Sequence, residues 1–69
     1  MSNPNIDLIK LARRHIKRLE TISRNLTDMC IDWDGIDGGM ETDFEFLAKT
    51  IEAQIKTHKE MIQGWRDEN

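Results

Sequence analysis

Apolar residues in the first half of the chain fall at Ile9, Ala12, Ile16, Leu19, Leu26, Cys30 and Trp33, with Ser23 the polar member of the same line. The intervals alternate between three and four. Residues so spaced return to one side of an α-helix, and a heptad line of this kind marks a face that packs against another helix. A second line, Leu8, His15, Ile22 and Met29, runs beside it at intervals of seven. Together they form a stripe wider than the seam of a two-stranded coiled coil, as in a helix bundle. The second half repeats the pattern with Phe44, Leu47, Ile51, Ile55, His58, Ile62 and Trp65, flanked by Ala48 and Met61. Its two consecutive fours, on either side of Ile51, approach the 3.6 period of a straight helix.

Glycine and capping residues divide the two stripes. Asn3-Pro4 supplies a cap and a proline suited to a first helical turn. The run Asp34-Gly35-Ile36-Asp37-Gly38-Gly39 can end one helix and reverse the chain. Thr42 and Glu45 have capping-box spacing. Glu45–Lys49 and Glu52–Lys56 are i,i+4 pairs in the favourable order. The expected layout is one domain, 1–69, with helix 1 over about 4–33, a turn at 34–41 and helix 2 over about 42–66.

A short turn forces the helices antiparallel. Pairing about residues 34–41 sets Leu26 near Ile51, Leu19 near His58 and Ala12 near Trp65. The fold class is all-α, an antiparallel helical hairpin. Such a hairpin covers only one side of each helix. Leu8, Ile22 and Met29 on one helix, and Ala48, Ile55 and Ile62 on the other, then need a second layer. A two-fold dimer forming a four-helix bundle supplies it. The expected core and dimer set is Ile9, Ile16, Leu19, Ile22, Leu26, Met29, Phe44, Leu47, Ile51, Ile55, Ile62 and Trp65.

Length and composition support a small assembly rather than an enzyme. The chain has 69 residues, 38% apolar and 33% charged. A domain of that size buries only about 60% of its unfolded surface and is marginal alone. A lone cysteine, Cys30, permits no internal disulfide and fits a reduced compartment. There is no long apolar run for a membrane span, and Met1 to Asn5 do not resemble a signal peptide, so the expected location is cytoplasmic. His15 and His58 have no partner at metal-ligand spacing. The acids from Asp32 to Asp43 miss the register of a calcium loop, with Ile36 and Asp37 where a ligand and then a glycine are needed. Acidic neighbours Asp28 and Asp32 oppose thiolate chemistry at Cys30. No catalytic residue, metal site or cofactor is expected.

Charge is distributed unevenly, and that matters more than the net of −3. Lys10, Arg14, Lys17, Arg18 and Arg24 make a basic face on helix 1. Residues 28–45 hold Asp28, Asp32, Asp34, Asp37, Glu41, Asp43 and Glu45 with no basic residue. Trp33, Ile36 and Met40 lie within this acidic stretch. Apolar residues rimmed by charge have the composition of a protein-binding hot spot, and the acids suit a basic partner. The candidate partner-binding set is therefore Trp33, Asp34, Ile36, Asp37, Met40 and Glu41. The basic face is the alternative, toward an acidic partner or nucleic acid, though net charge disfavours the latter.

The stripes over 9–33 and 44–65 and the turn over 34–39 resemble, in size and layout, small helical-hairpin proteins of phages and plasmids. One sort is a dimeric plasmid copy-number regulator that binds RNA through a helical face. The other is a phage anti-activator, a hairpin dimer that binds a LuxR-type quorum-sensing regulator and has been linked to a type IV pilus assembly ATPase. The acidic turn favours the second sort. The resemblance implies a non-enzymatic phage inhibitor of a host DNA-binding transcriptional regulator, acting by steric occlusion. An RNA-binding regulator and a purely structural oligomerisation unit remain the alternatives.

Overall fold

Two apolar seams on one short chain are satisfied when they face each other. The computed structural model describes residues 4–67 and has that form. Helix α1 spans Ile6–Asp32 and helix α2 spans Gly38–Asp67, packed against each other along their length. The hairpin measures 57 × 15 × 9 Å. Among the described residues, no helix is long and apolar enough to cross a membrane.

The α1 seam lies as its spacing predicts. Ile9, Ala12 and Ile16 are buried, while Leu19, Ser23, Leu26, Cys30 and Trp33 are half-buried. The α2 seam differs from expectation at one position. Ala48 is 9% exposed and Leu47 51% exposed, so the alanine faces α1 and the leucine faces outward. The inward line becomes Glu41, Phe44, Ala48, Ile51, Ile55, His58, Ile62 and Trp65, each buried or half-buried. Its intervals alternate three and four, like those of α1. Ala48, Ile55 and Ile62 thus belong to the hairpin's own interface rather than to a second layer. A small residue on the seam lets the helices stay close, and Leu47 keeps its bulk outside.

The connection is also shorter than the expected 34–41. Trp33 and Asp34 donate backbone N–H groups to Cys30 O and Ile31 O, at 3.2 and 3.0 Å, tightening the last turn of α1. Gly35 then takes φ +76°, where a side chain costs about 1–2 kcal/mol. Asp37 starts α2. Its Oδ1 accepts from the backbone N–H of Gly39 at 2.9 Å and Met40 at 3.2 Å. This is an N-cap, and it draws Gly38 and Gly39 into the helix. The expected Thr42–Glu45 capping box does not form. Thr42 lies inside α2 and its hydroxyl donates to Gly38 O at 2.8 Å.

Starting α2 about one turn early shifts the pairing of the helices. His58 lies beside His15, with ring centroids 6.2 Å apart, rather than beside Leu19. Near the turn, Cys30 Sγ donates to Glu41 O at 3.3 Å. At the other end, Asn5 Nδ2 donates to Trp65 O at 3.4 Å. Asn5, rather than Asn3, is the residue preceding α1, without a side-chain cap bond. Asn3 lies outside the described residues. Of the two expected ion pairs on α2, Lys49 Nζ and Glu45 Oε1 meet at 3.7 Å.

Candidate functional site

The hairpin has two unlike flanks, and the heptads explain why. One flank is formed by the residue that precedes alternate seam positions: Leu8, His15, Ile22 and Met29 on α1, and Met40, Leu47, Gln54 and Met61 on α2. Because the helices run antiparallel, both rows fall on the same side of the seam. His58 links them. It touches His15 across the interface, and its Nδ1 lies 3.0 Å from the side-chain amide nitrogen of Gln54. Leu8, Ile22, Met29, Leu47 and Met61 on this flank are exposed, and Leu11 stands at its edge. The opposite flank is polar. Thr27, Glu45, Lys49 and Glu52 line a groove of about 340 Å³ there, floored by Cys30, Glu41 and Ala48.

The turn end is the second distinct surface. The candidate residues Asp34, Ile36 and Asp37 are exposed, whereas Trp33, Met40 and Glu41 are half-buried against the end of the hairpin. The structure therefore brings the six residues to one end but divides their roles. Asp37 is spent on capping α2, and Glu41 lies on the seam, where its carbonyl receives the Cys30 thiol. Two apolar residues absent from the sequence-derived set, Ile31 and Phe46, also stand out here. Ile31, Ile36 and Phe46 are 65%, 73% and 67% exposed, the highest values among the exposed large apolar side chains. All three lie within residues 28–46, which hold seven acids and no base. The signal for Ile31 and Phe46 is present in the sequence: both are apolar residues that fall off the seam lines.

Lys10, Arg14, Lys17, Arg18 and Arg24 are exposed on α1, as expected. Among the described residues, no ion pair engages them or Arg13. Asp7, Lys10, Arg13 and Arg14 line a shallow recess of about 590 Å³. Lys10, Arg13, Arg14, Lys17 and Arg18 lie in the open half of the hairpin, and Arg24 lies nearer the turn.

Cys30 is half-buried on the seam. Burial raises its thiol pKa, and the carboxylates of Glu41, Glu45 and Asp34 raise it further. Sequence proximity points to Asp28 and Asp32 instead; the fold substitutes acids of the facing helix and the turn. Such a thiol is a poor nucleophile at neutral pH. Among the described residues, no group of three His, Cys, Asp or Glu side chains surrounds a common point where a metal ion would sit. Comparison of the chain with family models, curated proteins and solved structures returns no match.

Proposed function

We propose that the protein is a non-enzymatic interaction module that dimerises into a four-helix bundle and uses its acidic turn end to occupy a basic surface on a partner protein. One observation carries the partner reading: the most exposed large apolar side chains, Ile31, Ile36 and Phe46, all stand in a stretch with seven acids and no base. Apolar side chains supply contact area, and the surrounding acids select a basic partner and speed its approach. The DNA-binding surface of a transcriptional regulator has that chemistry, and covering it blocks DNA by occlusion alone. The likeness in layout to phage hairpin inhibitors supports a phage-encoded protein acting in the host cytoplasm.

The apolar flank supports the dimer. Leu8, Leu11, Ile22, Met29, Leu47 and Met61 are each roughly half exposed. Full burial of such a side chain is worth about 1.5–3 kcal/mol, so each retains about 1 kcal/mol to gain. Two copies together gain on the order of 10 kcal/mol, enough for micromolar association when the cost of lost freedom is near its lower end, about 4 kcal/mol.

Affinity capture from host lysate tests the partner reading. The wild-type chain should retain a stoichiometric protein, and Ile36→Asp and Phe46→Asp should lose it while keeping the wild-type circular dichroism spectrum. Equal capture by the tip variants would overturn the proposal. The unpaired α1 bases favour one second reading, RNA binding. That reading requires a mobility shift that weakens steeply with salt and is reduced by Arg14→Ala.

A further inference from the structure

The hairpin fold converts an uneven sequence into a charge dipole along a rod. Residues 20–52 form the turn half and carry nine acids and two bases. Residues 4–19 and 53–67 form the open half and carry eight bases against three acids. The open half is therefore net positive by five and the turn half net negative by seven. The two halves meet end to end within a hairpin 57 Å long. That length exceeds several screening lengths at physiological salt, about 8 Å each, so the ends of one copy scarcely neutralise each other. The bases of α1 remain without ion pairs among the described residues.

The exposed apolar flank runs through both halves. Leu8, Leu11 and Met61 lie toward the open end, and Met29 and Leu47 toward the turn. Burying it against a second copy by a two-fold axis allows two arrangements. With the turns side by side, the two acidic halves face each other and so do the two basic halves. With one hairpin reversed, each acidic turn half lies along the partner's basic open half. Both arrangements cover the same apolar flank. Charge decides between them, because like charges placed together oppose association while complementary ones assist it.

We infer that the partner covering the apolar flank is a second copy of this chain, laid antiparallel to the first, with the turn of each hairpin over the other's open end. The inference rests on the dimer proposed under the function and adds the orientation that it lacks. Arg14 and Arg18, which border the flank beside Leu11 and His15, then lie toward the partner's acidic turn half, and the two turn ends point in opposite directions. The assembly presents two separate acidic tips rather than one joined tip, so it can hold two partner molecules at once.

Self-association measured against salt tests the orientation first. The antiparallel dimer weakens by roughly tenfold or more as salt approaches about 1 M, where the screening length falls to about 3 Å. A parallel dimer tightens, because salt relieves its repulsion. Replacing two bases, Arg14→Glu with Arg18→Glu, should weaken the antiparallel dimer by roughly tenfold and would strengthen a parallel one. A distance measurement supplies the second readout. In a Cys30→Ser background, spin labels at Ile36→Cys should lie far apart, on the scale of the 57 Å hairpin length. Tip-to-tip distances no larger than the width of two adjacent hairpins, or a dimer that tightens with salt, would overturn the orientation and leave the dimer standing. A chain that stays monomeric at every salt concentration would overturn both.

Discussion

Ile62 and Met61 are neighbours with opposite surroundings, and truncating each in turn tests where the hairpin's interface lies. Ile62 is 8% exposed and packs with Ile9, Ala12 and Ile16. Ile→Ala at a buried site costs about 2–5 kcal/mol. The hairpin is only two helices thick, so the gap left by Ile62→Ala opens toward solvent and the cost falls at the lower end, about 2–3 kcal/mol. A chain of 69 residues has a total stability of about 3–10 kcal/mol. The loss is therefore a large share, and the melting temperature should fall by roughly 10–20 °C. Met61 is 45% exposed on the apolar flank. In an isolated hairpin Met61→Ala should cost less than about 1 kcal/mol. Its cost should grow with protein concentration, because only the assembled form buries that side chain. Urea unfolding followed by circular dichroism, at a low and a high concentration, separates the two effects. Equal losses from both variants, independent of concentration, would show that the α2 seam is misplaced by one residue.

Three further outcomes follow from the turn and the thiol. Asp37→Ala should destabilise the chain by about 1 kcal/mol in the same unfolding assay, since two α2 backbone N–H groups lose their acceptor; an unchanged midpoint would contradict the cap. Gly35→Ala should cost about 1–2 kcal/mol through its positive φ, with nothing nearby to clash, and Gly35→Asn should cost less; equal stability of all three chains would refute it. The raised thiol pKa of Cys30 favours the protonated form in the folded state. Its contribution is complete below the ordinary thiol pKa and is lost as pH rises through the raised value. Alkylation of folded protein by iodoacetamide should therefore be slow at neutral pH and reach half its maximal rate at a higher pH than for an unfolded thiol, and a midpoint below the unfolded one would contradict the assigned surroundings.

The helices and their facing seams are legible in the sequence because apolar spacing of alternating threes and fours, kept up from Ile9 to Trp33, suits a packed helix and fits neither a strand nor a loop. The α1 seam can be read to the residue. On α2, hydrophobicity ranks Leu47 above Ala48, and only packing against α1 shows that the smaller residue is the one that fits. The turn departs from its sequence reading for a related reason. Gly38 and Gly39 have poor helix propensity, yet Asp37 capping recruits them into α2 and moves the helix pairing by about one turn. That shift places His58 on His15 and exchanges the acids around Cys30. The acidic, apolar turn is visible as composition, but its division of labour is not. Whether an acid caps a helix, as Asp37 does, or faces outward, as Asp34 does, depends on backbone geometry that composition does not encode. Ile31 and Phe46 escape a reading built on periodic lines, because an exposed apolar surface is made of the residues that leave those lines.

The apolar flank from Leu8 to Met61 is the feature from which the assembly, its orientation and its two tips all follow. Sedimentation equilibrium of the wild-type chain at micromolar concentration and low salt tests it most directly. The predicted result is a species of twice the 8.1 kDa chain mass, reduced toward a single chain by Leu47→Glu or Ile22→Glu without loss of helicity. A stable 8.1 kDa species under those conditions would contradict it.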